Sequence, residues 1–194
     1  MTAAELHLTG DPAADDLLSR DPLALVIGML LDQQFAMERA FAGPYLLTQR
    51  LGHDLDAAEL ASYDPEELAN LFAQPPVIHR YPRSMAGRVQ SLCQLVVERY
   101  DGDAAKLWQD ASNGGELLRR LQELPGFGRQ KAQIFLALLG KQRGVAPRGW
   151  REAAGGYGED GSRRSIADVT GPESLQEVRA TKRAAKAAAR AGSG

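Results

Sequence analysis

The stretch LPGFGRQKA, residues 124–132, separates two segments whose apolar residues recur at helical spacing. The segment before it, Glu116–Glu123, has leucines on one face of an amphipathic helix, and Arg129–Leu139 starts a second helix. A proline and two glycines interrupt the helical pattern between them. The sequence therefore predicts two helices that meet at a tight corner. No strand precedes the corner, as a dinucleotide-binding glycine fingerprint would require.

The turn between these helices has residues that suit it to binding an anion. Its proline fixes φ, its glycines permit close approach, and its phenylalanine fits between the helices. Amides at a helix start have no partner within the helix, and the helix dipole attracts negative charge there. We expect the corner to hold one DNA phosphate without reading bases. The alternative is a plain helical hairpin with a glycine cap. The residues expected at this contact are Gly126, Phe127, Gly128, Arg129 and Lys131.

The composition favours a helical protein with a charge division along the chain. Val, Ile and Thr supply only 17 of 194 residues, which is little material for a sheet. Residues 1–70 carry 3 basic and 13 acidic side chains, whereas the rest of the chain carries a net charge of +8. We expect an all-α protein with one cationic face for a polyanion, against the alternative of an ordinary solvated surface.

The single cysteine and the hydropathy pattern limit the classes of protein. Cys93 alone cannot form an internal disulfide or hold an iron-sulfur cluster. The longest apolar run, Leu23–Leu31, is about half the length that spans a bilayer. We expect no membrane partner, no metal site, and a cytoplasmic location, associated with the nucleoid if the source is bacterial.

Two further segments have strong local signals. Asp21 and Pro22 form a capping pair that begins an apolar helix, which the pattern continues through Phe35 into the core. The loop Gln74–Arg83 contains three prolines, which forbid a regular helix and stiffen a cationic and aromatic segment that includes Arg80.

On these residues the sequence resembles the HhH-GPD superfamily of base-excision DNA repair glycosylases, the group of endonuclease III, MutY and AlkA. The likeness rests on the hairpin, on the helix DPLALVIGMLLDQQ (residues 21–34) and on the positions of the helices between them. It implies an all-α, HhH-GPD glycosylase-like fold with one helix-hairpin-helix motif over residues 21–150. Residues 1–20 would form an N-terminal segment, and residues 151–194 a glycine-rich segment with a basic C-terminal helix.

The resemblance also implies how duplex DNA is bound. Members of the superfamily bend DNA, extrude one nucleotide and fill the gap with side chains. Gln34 matches the glutamine that enters the gap, and Tyr81 matches a wedge residue that stacks from the opposite strand. Arg80 lies beside that wedge in the sequence. The alternatives are a solvated glutamine at a helix end and a partly buried tyrosine.

The catalytic positions depart from the superfamily pattern. Where members with lyase activity have a Schiff-base lysine, this chain has Gln130, and Lys131 follows one residue later. Pro147 and Arg148 occupy the stretch where members have a catalytic aspartate. Two carboxylates are candidates to replace it: Asp32, near the end of the apolar helix, and Glu152, about one turn beyond the missing position. Each has a structural alternative, an ion pair for Asp32 and a solvated helix position for Glu152.

The sequence leaves three functional hypotheses. The first is a monofunctional DNA glycosylase that hydrolyses the N-glycosidic bond of a damaged or mispaired base, without lyase activity. The second is a catalytically inactive relative that binds damaged, bent or branched DNA. The third is a helical protein-interaction domain. For the first two we expect a monomer on double-stranded DNA, with no cofactor other than a monovalent cation at the hairpin.

Overall fold

The computed structural model describes residues 4–193, and within them it contains α-helices, two short 3-10 helices and no strand. The all-α prediction is therefore confirmed. The α-helices in chain order are α1 Pro12–Arg20, α2 Pro22–Leu31, α3 Met37–Leu51, α4 Ala57–Ser62, α5 Pro65–Ala73, α6 Pro82–Tyr100, α7 Lys106–Gln109, α8 Gly114–Gln122, α9 Arg129–Gln142, α10 Trp150–Ala154 and α11 Pro172–Ala191. The 3-10 helices are Gly155–Gly158 and Ile166–Asp168.

Helix α2 lies at the centre of the core. The Asp21 carboxylate caps it by accepting from the amide of Leu23 at 2.9 Å, and Pro22 occupies its first position. Every residue from Leu23 to Leu31 is buried. A helix that is apolar on all sides must be surrounded by other elements, and the expected central position is what the structure has.

The C-terminal end of α2 differs from the sequence expectation. The apolar pattern predicts a helix through Phe35, but α2 ends at Leu31. The Lys131 ammonium donates to the carbonyls of Met29 and Leu30, at 2.8 and 3.1 Å. A longer helix would use those two carbonyls for the amides of its next turn. The Lys131 ammonium therefore replaces the main-chain amides that the next turn would supply, and α2 does not continue beyond Leu31.

The proline-rich loop is shorter than expected because Pro82 is the first residue of α6, where its missing amide is tolerated. The loop covers residues 74–81. The Arg50 guanidinium holds its start by donating to the carbonyls of Leu71 and Pro76, and Arg83 pairs with Glu66 at 3.0 Å on its other side. The loop is thus fixed against α3 and α5.

The glycine-rich segment after residue 150 is folded onto α9. Lys141 and Asp168 form an ion pair at 2.6 Å, and the aspartate side chain is only 2% exposed. Gln142 Nε2 donates to the carbonyl of Ala167 at 2.8 Å. The ring of Trp150 covers Gly140 so closely that a Cβ there would lie 2.4 Å from it. These contacts hold the segment against the C-terminal end of α9, while Gln133 Nε2 donates to the carbonyl of Ala153 nearer its N-terminal end. The expected division into three segments stays a prediction.

Candidate nucleic-acid interface and adjoining cleft

The hairpin consists of α8, the turn at residues 123–128, and α9. The amide of Phe127 donates to the carbonyl of Leu124 at 3.0 Å, which closes the turn. Gly126 adopts φ +80°, a conformation that favours glycine. Phe127 is buried with its ring edge against Phe135, 6.2 Å between centroids. The structure thus contains the predicted corner, with the Phe127 side chain buried in it.

The N-terminal end of α9 presents its first amides without a side-chain cap. The N-cap residue is Gly128, which has no side chain that could cap the helix. The first main-chain bond of the helix joins the amide of Ala132 to the carbonyl of Gly128 at 3.0 Å. Gly128 and Arg129 are exposed, and a Cβ built on Gly128 meets nothing within 4 Å. The space in front of these amides is open to a ligand as large as a phosphate.

Lys131 faces away from this opening and serves α2. Its ammonium donates to the main-chain carbonyls of Met29, Leu30 and Asp32, at 2.8 to 3.1 Å. A cation at a helix C-terminus interacts favourably with the dipole and satisfies unpaired carbonyls. Burial nevertheless lowers the pKa of the Lys131 ammonium to about 8. Its expected contact with a phosphate stays a prediction, and its observed partners belong to the protein.

Gln33 connects the hairpin, α6 and the end of α2. Its Oε1 accepts from Arg88 at 3.1 Å, and its Nε2 donates to the carbonyl of Leu30 at 2.8 Å. A Cβ on Gly126 would lie 3.9 Å from both the Gln33 amide and the Arg88 guanidinium. The hairpin corner, an exposed arginine and the residues after α2 therefore form one continuous surface.

His79 joins this surface to the proline-rich loop. Its Nε2 lies 3.0 Å from the carbonyl of Gln33, and its Nδ1 accepts from the amide of Tyr81 at 3.0 Å. A carbonyl can only accept and an amide can only donate, so the ring is the neutral tautomer protonated on Nε2. Burial lowers the His79 pKa, which favours that neutral form.

The structure brings Gln34 and Tyr81 together at the surface. The Tyr81 hydroxyl donates to Gln34 Oε1 over 3.4 Å, although the residues are 47 positions apart. Both side chains are exposed, Tyr81 to 42%. Gln34 has φ +50°, an unfavourable conformation for a residue with a Cβ. The Arg80 guanidinium lies 5.3 Å from the centroid of the Tyr81 ring. Two loops, one with a strained Gln34, thus expose a carboxamide, an aromatic ring and a cation side by side.

A cleft of about 730 Å³ opens beside this pair. Its walls come from the end of α2, the start of α9, the first 3-10 helix and α11. The lining residues include Asp32, Gln34, Phe35, Gln130, Lys131, Tyr157, Arg164 and Lys182. Gln130 Nε2 donates to the Tyr157 hydroxyl at 2.8 Å, which fixes one wall. The cleft is large enough for a nucleobase with its sugar.

Of the two candidate carboxylates, Asp32 lines the cleft. Burial raises its pKa, and the positive charges of Lys182 and Lys131 oppose that rise. Glu152 is exposed on α10 and does not belong to the residues that line the cleft. Asp160, in the glycine-rich segment, pairs with Arg151 at 2.6 Å instead. The geometry therefore favours Asp32 as the acidic group of this cleft, and the catalytic role of either carboxylate stays a prediction.

Sequence reasoning missed several residues of this surface and cleft. Gln33 and Arg88 have ordinary surroundings in the sequence, and only the fold brings them together. For His79, the available signal was its spacing of two residues from Tyr81 in the proline-rich loop. Tyr157 and Lys182 lie in the segments whose path the sequence left open.

The described residues show neither a metal cluster nor a spanning helix. Among residues 4–193 there is no group of three or more His, Cys, Asp or Glu side chains arranged to hold a metal. No helix in that range has the length and apolar character needed to cross a membrane. Cys93 is buried, and burial raises the pKa of its thiol to about 12. The monovalent cation expected at the hairpin stays a prediction.

The fold defines an all-helical protein with a cleft beside a helical hairpin. Among solved structures, the chain is similar to endonuclease III in a trapped covalent intermediate with DNA, an estranged-adenine complex, with 19% identity. The match covers 63% of this chain and 55% of that one, with a TM-score of 0.43. The chain thus aligns with about half of that protein, and a likeness of this size says nothing of what it binds or does. No protein-family model and no curated protein matches the sequence.

Proposed function

We propose that this protein binds duplex DNA, receives one extruded nucleotide in its cleft and hydrolyses the N-glycosidic bond of that nucleotide without cutting the strand. One observation carries the proposal: the half-buried carboxylate of Asp32 lines a nucleotide-sized cleft two residues from the exposed Gln34–Tyr81 pair. The substrate class would be a damaged or mispaired base in DNA.

The hairpin supports the first step, in which the DNA backbone is held. The open amides at the start of α9 and the exposed Arg129 suit one phosphate. Arg88 lies next to Gly126 and supplies a second cation on the same surface. Such contacts fix the position of the duplex without selecting a sequence, which suits a protein that searches DNA for rare lesions.

The Gln34–Tyr81 pair supports the second step. Extruding a base costs a few kcal/mol in lost stacking, and inserted side chains recover part of it. An aromatic ring replaces stacking, and a carboxamide hydrogen-bonds to the base left without a partner. Since Gln34 also lines the cleft, an extruded nucleotide has a short path from the helix axis to Asp32.

Asp32 supports the chemical step. The bond between C1′ and the base nitrogen breaks, and its electron pair leaves with the base. A water oxygen forms the new bond to C1′ and gives up a proton, which the Asp32 carboxylate accepts as a general base. The same negative charge stabilises the cation that develops on the sugar. The departing base takes up a proton from solvent and the Asp32 carboxyl releases its proton to solvent, so the net reaction consumes one water molecule and releases one neutral base.

Gln130 and Lys131 favour hydrolysis over lyase chemistry. A carboxamide cannot form a Schiff base, and Gln130 is already bonded to Tyr157. The Lys131 ammonium has three carbonyl partners, two in α2 and the carbonyl of Asp32, so an attack on C1′ would require it to leave all of them. The expected product is an intact strand with an abasic site.

The second candidate function is a catalytically inactive protein that recognises distorted DNA. Lys182 favours it, because this cation lines the same cleft as Asp32 and opposes the rise of its pKa. A carboxylate paired with an ammonium stabilises a developing sugar cation less than a free one does. Binding would then be retained without base release.

Base release from defined duplexes tests both functions. Duplexes with uracil, 8-oxoguanine, mispaired adenine or an alkylpurine are incubated with the protein and then treated with alkali to cut abasic sites. We expect strand cutting only after alkali, its loss in Asp32→Asn, and its retention in the control Asp160→Asn, which removes an exposed carboxylate. Loss in Glu152→Gln alone would transfer the catalytic role to that residue. Tight binding without release from any duplex would support the inactive protein.

The salt dependence of DNA affinity distinguishes the two DNA-binding functions from a protein-interaction domain. Phosphate contacts release counterions, so the logarithm of affinity falls with the logarithm of salt concentration by about 0.9 for each contact. A flat plot, or no binding to duplex DNA, would leave only the protein-interaction hypothesis.

A further inference from the structure

Helix α11 has a stripe of cations along one face. Its five basic residues are separated by three or four positions, apart from one neighbouring pair, and no acid follows Glu177. At 3.6 residues per turn, all five fall within an arc of roughly 100°. The residues of this cationic stripe are Arg179, Lys182, Arg183, Lys186 and Arg190. A stripe so narrow distinguishes the helix from one with charges around its whole surface.

The first half of α11 is attached to the body of the protein by the same face. Val178 is buried and Leu175 is half-buried. Arg179 forms an ion pair with Glu38 at the start of α3. Lys182 lines the cleft together with Asp32. The N-terminal part of the stripe therefore interacts with acidic residues of the protein, through the Arg179–Glu38 ion pair and the charge of Lys182 near Asp32.

The second half of the stripe has no such partners. Lys186 and Arg190 are exposed, and within residues 4–193 neither forms an ion pair. Ala185 lines the cleft together with Gln34 and Phe35, and Lys186 and Arg190 follow it directly along α11. Gln130, at the start of α9, lines the cleft as well. The free cations and the hairpin amides thus lie near one opening and are contributed by different elements.

We propose that the second half of α11 is a cationic arm whose Lys186 and Arg190 bind backbone phosphates of the DNA strand that delivers a nucleotide to the cleft. This inference rests on the proposed function and adds a second backbone contact to that of the hairpin. Charge complementarity determines the partner: two unpaired cations one helical turn apart suit successive phosphates of a polyanion. The hairpin and the arm then hold the backbone at two places around the extruded nucleotide.

A charge-relocation variant tests the position of the cations separately from their number. Ala184 and Ala188 are each two positions from Lys186, roughly 160° around the helix from it, and both are exposed. The variant Lys186→Ala, Arg190→Ala, Ala184→Lys, Ala188→Arg keeps composition, net charge and helix formers, but moves two cations to the opposite face. Circular dichroism verifies that the helix content is unchanged.

Affinity is measured by fluorescence anisotropy with a duplex that carries a tetrahydrofuran abasic analogue, over a series of salt concentrations. We expect the relocated variant to bind about 10-fold more weakly, with a salt slope smaller by about 1.8, the value for two lost phosphate contacts. Equal affinity and slope would overturn the arm. If Gly128→Ala weakens binding and relocation does not, the arm fails while the proposed function stands. If the unaltered protein does not bind the duplex, both fail.

Discussion

The ammonium of Lys131 donates to the main-chain carbonyl of Asp32 at 3.1 Å, across 99 positions of sequence. The same ammonium bonds the last carbonyls of α2, so one side chain both ends that helix and fixes the backbone of the acidic residue in the cleft. The geometry of the cleft therefore depends on a contact between the hairpin and α2. A change at Lys131 alters stability and the position of Asp32 together.

The lowered pKa of Lys131 predicts an unusual dependence of stability on pH. Its pKa is about 8 in the folded protein, against 10.5 for the unperturbed side chain. Between those values the unfolded chain binds more protons, so the free energy of unfolding contributed by this group rises with pH. We expect the stability difference between the parent protein and Lys131→Met to grow from pH 7 to pH 10. Urea unfolding at both values measures it, and a difference that stays constant or shrinks would contradict the prediction.

Alanine in place of either turn glycine is predicted to have a different effect: one variant loses DNA affinity and the other loses stability. Gly128 has φ −76° and open space around a new Cβ, so Gly128→Ala keeps the fold. Its methyl group lies where the phosphate would approach, and we expect about 10-fold weaker binding to DNA, the loss of roughly one hydrogen bond to a charged group. Gly126 has φ +80°, and an added Cβ would lie 2.7 Å from the Leu30 side chain. The variant Gly126→Ala should therefore be less stable by about 1–3 kcal/mol.

The matched control for these glycines is Gly171→Ala. Gly171 has extended main-chain angles and open space, and lies at the start of α11. It should change neither the melting temperature nor DNA affinity by a measurable amount. Unchanged DNA binding in a folded Gly128→Ala protein would remove the hairpin amides from the interface.

The substitution Asp32→Asn is predicted to raise the stability of the protein while abolishing its activity. Burial raises its pKa above 3.8, so the folded protein binds this proton more tightly than the unfolded chain. The free energy of unfolding therefore falls as pH rises from 3.8 through the raised pKa, and the deficit remains in full above it. Asp32→Asn removes the deficit. At pH 7 we expect it to be more stable by an amount on the order of 1 kcal/mol, with no base release.

Thermal unfolding at pH 7 and pH 4 checks this relation. The stabilising effect of Asp32→Asn should be smaller at pH 4 than at pH 7, because protonation of the parent carboxyl removes the cost of burying its charge. Base release by the parent protein should decline over the same pH range, since the neutral acid cannot accept a proton. A variant less stable than the parent protein at pH 7 would indicate that the carboxylate serves the fold.

Local signals in the sequence were sufficient for most helices and for the hairpin, because capping residues, prolines and glycines act over a few positions. The Asp21–Pro22 start of α2 and the corner at Gly126 are of this kind. The end of α2 was not predictable, since it depends on Lys131, about 100 positions away. The position of α11 over the cleft depends in the same way on Glu38, far from its partner in sequence. Local patterns contain no information on such pairings.

The sequence indicated some residues of the candidate site, but not how they are arranged. Gln34 and Tyr81 were both proposed from the family resemblance, and the structure brings them within hydrogen-bond distance. Asp32 and Glu152 could not be ranked from sequence, because spacing along the chain does not state which one lines the cleft. The direction of a side chain at an irregular helix end depends on tertiary contacts, here those of Lys131 and Gln33.

The left-handed conformation of Gln34 allows its two roles to be separated. At φ +50° a residue with a Cβ is strained, whereas glycine is not. Gln34→Ala and Gln34→Gly remove the same carboxamide, but only the second relieves the strain. We expect Gln34→Gly to unfold with a free energy about 1 kcal/mol higher than Gln34→Ala, as measured in urea.

Both Gln34 variants should lose the extrusion of a nucleotide to the same extent. A duplex with 2-aminopurine at the target position reports unstacking by its fluorescence, and we expect the increase on binding to fall several-fold in each. Affinity for an undamaged duplex should change little, because the hairpin contacts remain. If the two variants differ in extrusion as they differ in stability, the strained backbone matters to the DNA step. If extrusion is unchanged in both, Gln34 does not enter the helix, and Tyr81 alone would have to open it.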